Sequence, residues 1–148
     1  TCKCTPNART RYMGRVSGPL IDRIDIHVEV PPVPWRQLRG QAEGLSSQDM
    51  RSQVIAARTV QSERFAGANG STTTNATMSS QQVRKFCKLD SSGESVLQQA
   101  MSELGLSARA HDKVLRIART IADLELRDNI AAHHLAEAIQ YRKLDRKL

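Results

Sequence analysis

Aromatic residues are scarce: one Trp, two Tyr and two Phe make up 3% of the 148 residues. A β-sandwich needs many aromatic and β-branched strand positions, so that class is excluded. A stacking platform for single-stranded nucleic acid needs exposed rings and is excluded as well. Three cysteines, Cys2, Cys4 and Cys87, form no disulfide framework and fit a reducing, cytoplasmic setting. No apolar run approaches the ~18 residues that cross a bilayer, and no secretory signal is expected. No Gly is followed by Lys, so the sequence holds no phosphate-cradling G-x-x-x-x-G-K-[ST] loop. No Ser/His/Asp or Cys/His nucleophilic arrangement stands out. Acidic residues are missing from the first 21 positions, which hold Lys3, Arg9, Arg11 and Arg15.

The chain does have Ala, Leu, Arg, Gln and Glu in quantity, all good helix formers. Lys and Arg number 22 against 15 Asp and Glu, a formal net charge of +7. That balance suits phosphate contacts with nucleic acid and equally a solvated surface meeting an acidic neighbour. Thr5-Pro6 predicts a capped helix to about Met13, and Ser17-Gly18-Pro19 starts a second turn. Ile24 to Val30 alternates apolar and polar residues and predicts a strand, stopped by Pro31, Pro32 and Pro34. A lone strand is unstable, and the chain starts at Thr1 without Met, so a fragment of a longer protein is expected.

Residues 35–46 read as a linker. A helix is expected from Ser47 to about Phe65 with Met50, Val54 and Ala57 on one face. Residues 66–75 are small and polar and read as a mobile loop. Ser79 or Ser80 caps a short helix ending near Cys87, and Asp90 opens another that Gly105 stops. Ser107 caps the clearest helix, whose stripe Ala110, Val114, Ile117, Ile121 and Leu124 faces a core. A last helix runs from about Ala131 to Arg142. The fold class is therefore mainly α: residues 1–34 form the edge of an α/β domain and 47–148 a four- or five-helix bundle.

Three stretches carry a family resemblance. Ser17-Gly18-Pro19-Leu20-Ile21-Asp22-Arg23-Ile24-Asp25-Ile26-His27-Val28-Glu29-Val30 resembles the end of the nucleotide-binding core in magnesium-chelatase-like AAA+ ATPases, most of all the ComM (YifB) proteins. Gly105 to His111, continuing through Leu115 to Leu124, is similar to that family's lid helix, and His134 to Arg142 to its C-terminal helix. The resemblance implies a C-terminal fragment: the last helix and strand of an αβα core, then the helical lid. It implies a parent that binds ATP and Mg²⁺, assembles as a homo-oligomeric ring, expected to be a hexamer, and works on DNA by branch migration during natural transformation. The fragment alone is expected to be inactive.

The same resemblance implies roles for particular residues. Arg23 matches the Arg of an L-L-D-R-[IF] run, with Ile21 where Leu is usual, and would be the arginine finger acting across a subunit boundary. A planar guanidinium suits the charge that grows on a γ-phosphoryl group. The residues alone allow the plainer reading of a surface Arg paired with Asp22 or Asp25. Arg109, in the first turn of the lid helix, matches the sensor-2 Arg that reads the γ-phosphate. A cation there opposes the helix dipole, which a bound phosphate would offset. Arg116 and Arg119 read as structural or solvated. Cys2 and Cys4 would be half of a possible Zn²⁺ site in the parent, and Cys87 a small buried apolar residue. Asp25, His27 and Glu29 read as a solvated or helix-covered face, and His133 and His134 as pointing apart. A metal-chelatase motor subunit and a free-standing basic helical DNA-binding module are the rival readings.

Overall fold

Small polar side chains open most of the helices. The computed structural model describes residues 3–35, 39, 44–66 and 74–142, and these are helical with no strand. Helix α1 spans Pro6–Met13; Thr5 Oγ1 accepts the Ala8 N–H at 3.3 Å, and Pro6 sits where its missing N–H costs nothing. Helix α2 is Gly18–Arg23, with Pro19 in its first turn. Helix α3, Ser47–Phe65, begins at a reciprocal Ser46–Asp49 box, and a single 3₁₀ turn follows at Asn75–Thr77. Ser79 and Gln82 cap α4, Ser80–Phe86, in the same reciprocal way. Asp90 caps α5, Ser91–Leu104, by accepting the Gly93 N–H at 2.7 Å. Gly105 ends α5 at φ 60°, a conformation that glycine adopts without strain. Helix α6 is Ala108–Leu124 under the Ser107 cap, and α7 is Ala132–Gln140.

Helix α6 is the hub. It packs against α3, the 3₁₀ turn, α4 and α7, while α5 closes over α7. Val114, Ala118 and Ala122 lie fully inside, joined by Leu135 and Ala138 of α7. Around them cluster Phe65, Met78, Val83, Cys87, Leu97 and Ile130, with Phe65 and Phe86 edge to face at 5.7 Å. Small residues at four-residue spacing on α6 let α7 approach closely, and the larger side chains fill the periphery.

Four expectations are corrected. The segment Ile24 to Val30 is extended but joins no ladder among the described residues; its apolar side chains stay exposed, Val30 by 83%. A strand needs strand neighbours for its N–H and C=O groups, and here the partners come from elsewhere: the His27 N–H meets the Tyr141 carbonyl at 2.8 Å, the Ile24 N–H turns back to Ile21, and the Ile24 carbonyl accepts from Arg142. On α3, Ala57 is buried, but Met50 and Val54 are each 51% exposed, because only the C-terminal half of the helix reaches the bundle; Gln61 and Phe65 complete the buried face. The expected loop at 66–75 lies outside the described residues over 67–73, and its end is not loose: Asn75 is buried in the 3₁₀ turn. On α6, Ile121 is buried as expected, whereas Ile117 is half-buried and Leu124 exposed. The buried stripe is rotated toward Leu115, Ala118, Arg119 and Ala122 because a buried ion pair occupies that side.

Candidate functional site

Arg23 is the last residue of α2 and is exposed. It is not paired with either neighbouring carboxylate; its guanidinium donates to the Pro19 carbonyl one turn back, at 2.8 Å. Both acids are engaged elsewhere. Asp25 pairs with Lys113 at 2.7 Å, and Asp22 Oδ1 accepts from Ser107 Oγ at 3.2 Å and lies 3.8 Å from Arg142. The plainer reading of a surface ion pair with Asp22 or Asp25 is therefore not what the described residues form.

The backbone around Arg23 is held from the lid. Lys113 Nζ donates to the Asp22 carbonyl at 2.7 Å, and Arg142 donates to the Ile24 carbonyl. Both cations are buried, Arg142 completely. A hollow of about 230 Å³ separates α2 from the start of α6, lined by Ile21, Asp22, Leu106, Ser107 and Ala110. Arg109 lies two residues beyond Ser107 on that edge, exposed and without a hydrogen bond or ion pair among the described residues. So the two arginines flank the hydrogen bond from Ser107 to Asp22 that joins the cap of α6 to α2. Lys113 and Arg142 were not singled out from sequence. The only available signal was a Lys one turn beyond Arg109, interrupting an apolar stripe.

Arg116 and Arg119 are structural, as expected. Arg116 donates to the Met78 carbonyl at 2.7 Å. Arg119 donates to Asp123 at 3.0 Å and to the carbonyls of Asp128 and Arg127. Burial lowers the Arg119 pKa and the Asp123 charge works against that. Arg64 grips the same Asp123 with two bonds, at 2.7 and 2.5 Å, and Asn75 Nδ2 adds a third donor at 2.7 Å. This network holds α3, the 3₁₀ turn and α6 together. Arg64, Asn75 and Asp123 were not picked out either, since their partners lie up to 59 residues apart.

Cys4 is exposed and Cys87 buried, both as free thiols; Cys2 lies outside the described residues. Burial pushes the Cys87 thiol up to about 11, consistent with an inert core residue. Cys4 is one of four ligands a Zn²⁺ site would need. Asp25 faces Lys113, Glu29 is exposed, and both His27 ring nitrogens are out of solvent without a partner among the described residues, so the three do not converge. His133 and His134 correct an expectation: their rings lie 3.9 Å apart and both reach Glu125, at 3.2 and 3.0 Å. His134 Nδ1 accepts the Ala131 N–H at 2.9 Å, so in the neutral ring the proton sits on Nε2, facing Glu125. That nitrogen has no lone pair to offer a cation. The trio caps α7.

The helical bundle is the architecture that the resemblance to magnesium-chelatase-like lids implies. Residues 44–142 match the family described as magnesium chelatase, subunit ChlI C-terminal, and residues 1–38 the family described as magnesium chelatase, subunit ChlI. The chain belongs to the magnesium chelatase ChlI family. It is 40% identical to the uncharacterized protein YifB of Escherichia coli K12 over 147 residues, covering 99% of this chain and 28% of that protein. It is 38% identical to the competence protein ComM of Haemophilus influenzae Rd, with the same coverage of 99% and 28%. An uncharacterized protein of Mycobacterium tuberculosis is 31% identical over 146 residues, with 96% and 28% covered. The chain thus spans little more than a quarter of the length of these relatives. Among the described residues no helix is long and apolar enough to cross a membrane.

Proposed function

We propose that this chain is the C-terminal part of a ComM-type AAA+ ATPase and supplies two arginines to ATP hydrolysis. Arg23 is the arginine finger, reaching the γ-phosphate held by a neighbouring subunit, and Arg109 is the sensor-2 residue. The observation that carries this reading is the state of Arg23: an exposed guanidinium beside two acids that other cations have taken, on backbone fixed from both sides. A group that answers charge arising only in the transition state must be free of permanent ion pairs and rigidly mounted; the Arg23 guanidinium holds one exposed bond, to the Pro19 carbonyl of its own turn, and no carboxylate. Arg109 likewise holds no carboxylate, at a helix N-terminus where a phosphate is welcome.

ATP and Mg²⁺ would be held by a phosphate loop and acidic residues outside this chain, so its own residues contribute only the two guanidinium groups. The subunits would form a ring, a hexamer on the family resemblance, in the cytoplasm. The energy of hydrolysis would move DNA junctions, in keeping with the competence role in the name of the Haemophilus relative. Cys2 and Cys4 would supply half of a zinc site completed upstream. A metal-chelatase motor is the second reading, favoured by the description of the matched family. In the full-length protein, ATP turnover stimulated by branched DNA, and lost in Arg23→Ala, supports the first. Turnover indifferent to DNA but raised by a chelatase partner and porphyrin supports the second.

A further inference from the structure

The Arg23 segment is held by cations of the lid. Lys113, one turn beyond Arg109 on α6, spends its buried ammonium on the Asp22 carbonyl and the Asp25 carboxylate, each at 2.7 Å. Arg142, just past α7, donates to the Ile24 carbonyl. The carbonyls just before and just after residue 23 are therefore both clamped from the lid, while the Arg23 side chain bonds only within its own turn, to the Pro19 carbonyl. Burying an ammonium is costly unless its protons are used. Here they are used on α2 and the chain beyond it rather than on the lid's own packing. Because α6 is one rigid rod, Arg109 at its first turn and Lys113 at its second move together.

From this we infer that Lys113 is a positioning residue for Arg23: it fixes the finger's backbone to the helix that carries Arg109, so that finger and sensor move as one body. The inference rests on the ATPase reading above. A finger displaced by ~1 Å loses up to about 10²-fold in rate, because alignment rather than affinity is lost. The effect belongs in kcat, with the KM for ATP nearly unchanged.

The test is a double-mutant cycle on ATP turnover in the full-length protein. Lys113→Met should lower kcat by roughly 10- to 10²-fold at nearly constant KM, and Lys113→Arg should recover part of it. In an Arg23→Ala background, Lys113→Met should have no further effect, since there is no finger left to position. A structural role would instead multiply with Arg23→Ala, and that result overturns the inference. So does an unchanged kcat in Lys113→Met. If Lys113→Met fails to fold, Asp25→Asn, at a solvent-facing carboxylate, weakens the same clamp. It should show a smaller kcat loss, equally silent in Arg23→Ala, and a loss that persists there overturns the inference. If Arg23→Ala itself leaves turnover intact, the ATPase reading fails first and the positioning role falls with it.

Discussion

Arg64 and Asp123 meet through two parallel hydrogen bonds, at 2.5 and 2.7 Å, across 59 residues of sequence. Asp123 is fully buried, and Arg119 and Asn75 also donate to it. Its carboxylate is therefore the point at which α3, the 3₁₀ turn and α6 are joined. Removing it leaves two guanidinium groups facing each other inside the protein. Asp123→Ala should cost about 3–5 kcal/mol, as measured for broken buried pairs. Urea unfolding of the chain should show the midpoint falling accordingly, and a loss under 1 kcal/mol would show that the network is not needed.

Leu126 ends α6 in the left-handed region at φ 54°. The Arg127 N–H returns to the Ala122 carbonyl at 2.8 Å and the Leu126 N–H to Asp123 at 3.1 Å, a Schellman closure with Leu where glycine is usual. The side chain is 62% exposed, so little burial offsets the strain. Leu126→Gly should stabilise the chain by up to ~1 kcal/mol. Thermal unfolding should show the rise, and a fall in Tm would contradict this.

The rotated stripe of α6 separates neighbouring positions. Ile121→Asp should unfold the bundle, since it buries an unpaired carboxylate. Ile117→Asp should be tolerated better, because Ile117 is only half-buried where Ile121 is buried, although both border a groove of about 460 Å³. Ala118→Leu, though apolar, should cost about 1–3 kcal/mol by overpacking against α7. Circular dichroism melts of the three variants would rank them, and equal damage from Ile117→Asp and Ile121→Asp would place the stripe where the periodicity alone put it.

Stability should fall at both ends of the pH scale. Hydrogen bonds from His134 and then His133 hold Glu125 below its ordinary 4.5. A depressed carboxylate stabilises the fold above its unfolded pKa, and that contribution is lost as pH falls below about 4.5 toward the lower folded value. Burial raises Cys87 from 9.0 to about 11. A raised thiol stabilises the fold below 9.0, and that contribution disappears as pH climbs from 9.0 to 11. Glu125→Gln should flatten the acid limb and Cys87→Ala the alkaline one in urea midpoints taken against pH. Unchanged limbs would refute both assignments.

The helices and their starts were legible because Thr5, Ser79, Asp90 and Ser107 cap by short-range chemistry, as does Gly105 at an end. Long-range geometry was not. Period-two alternation at Ile24 to Val30 signals a strand only if other strands are present. Met50 and Val54 follow helical spacing on a part of α3 that the bundle does not reach. At the candidate site, Arg23 and Arg109 were singled out through the family motif. Lys113 and Arg142 were not, because a Lys that serves a carbonyl 91 residues away resembles any helical Lys. The convergence of His133 and His134 rests on Glu125, eight and nine residues back in the chain, which their spacing alone does not reveal.

The central claim is that Arg23 acts on a neighbour's nucleotide, and the measurement that meets it most directly is ATP turnover in mixed rings of the full-length protein. Arg23→Ala alone should lose roughly 10³-fold or more in kcat, and Arg23→Lys should not restore it, since a point charge lacks the planar fork. A second variant, with its phosphate loop disabled, should also be inactive. Mixed, the two should form interfaces with an intact loop on one side and an intact finger on the other, and turnover should exceed the sum of the separate proteins. Turnover in the mixture no greater than that sum, or near-normal turnover of Arg23→Ala by itself, would contradict the account.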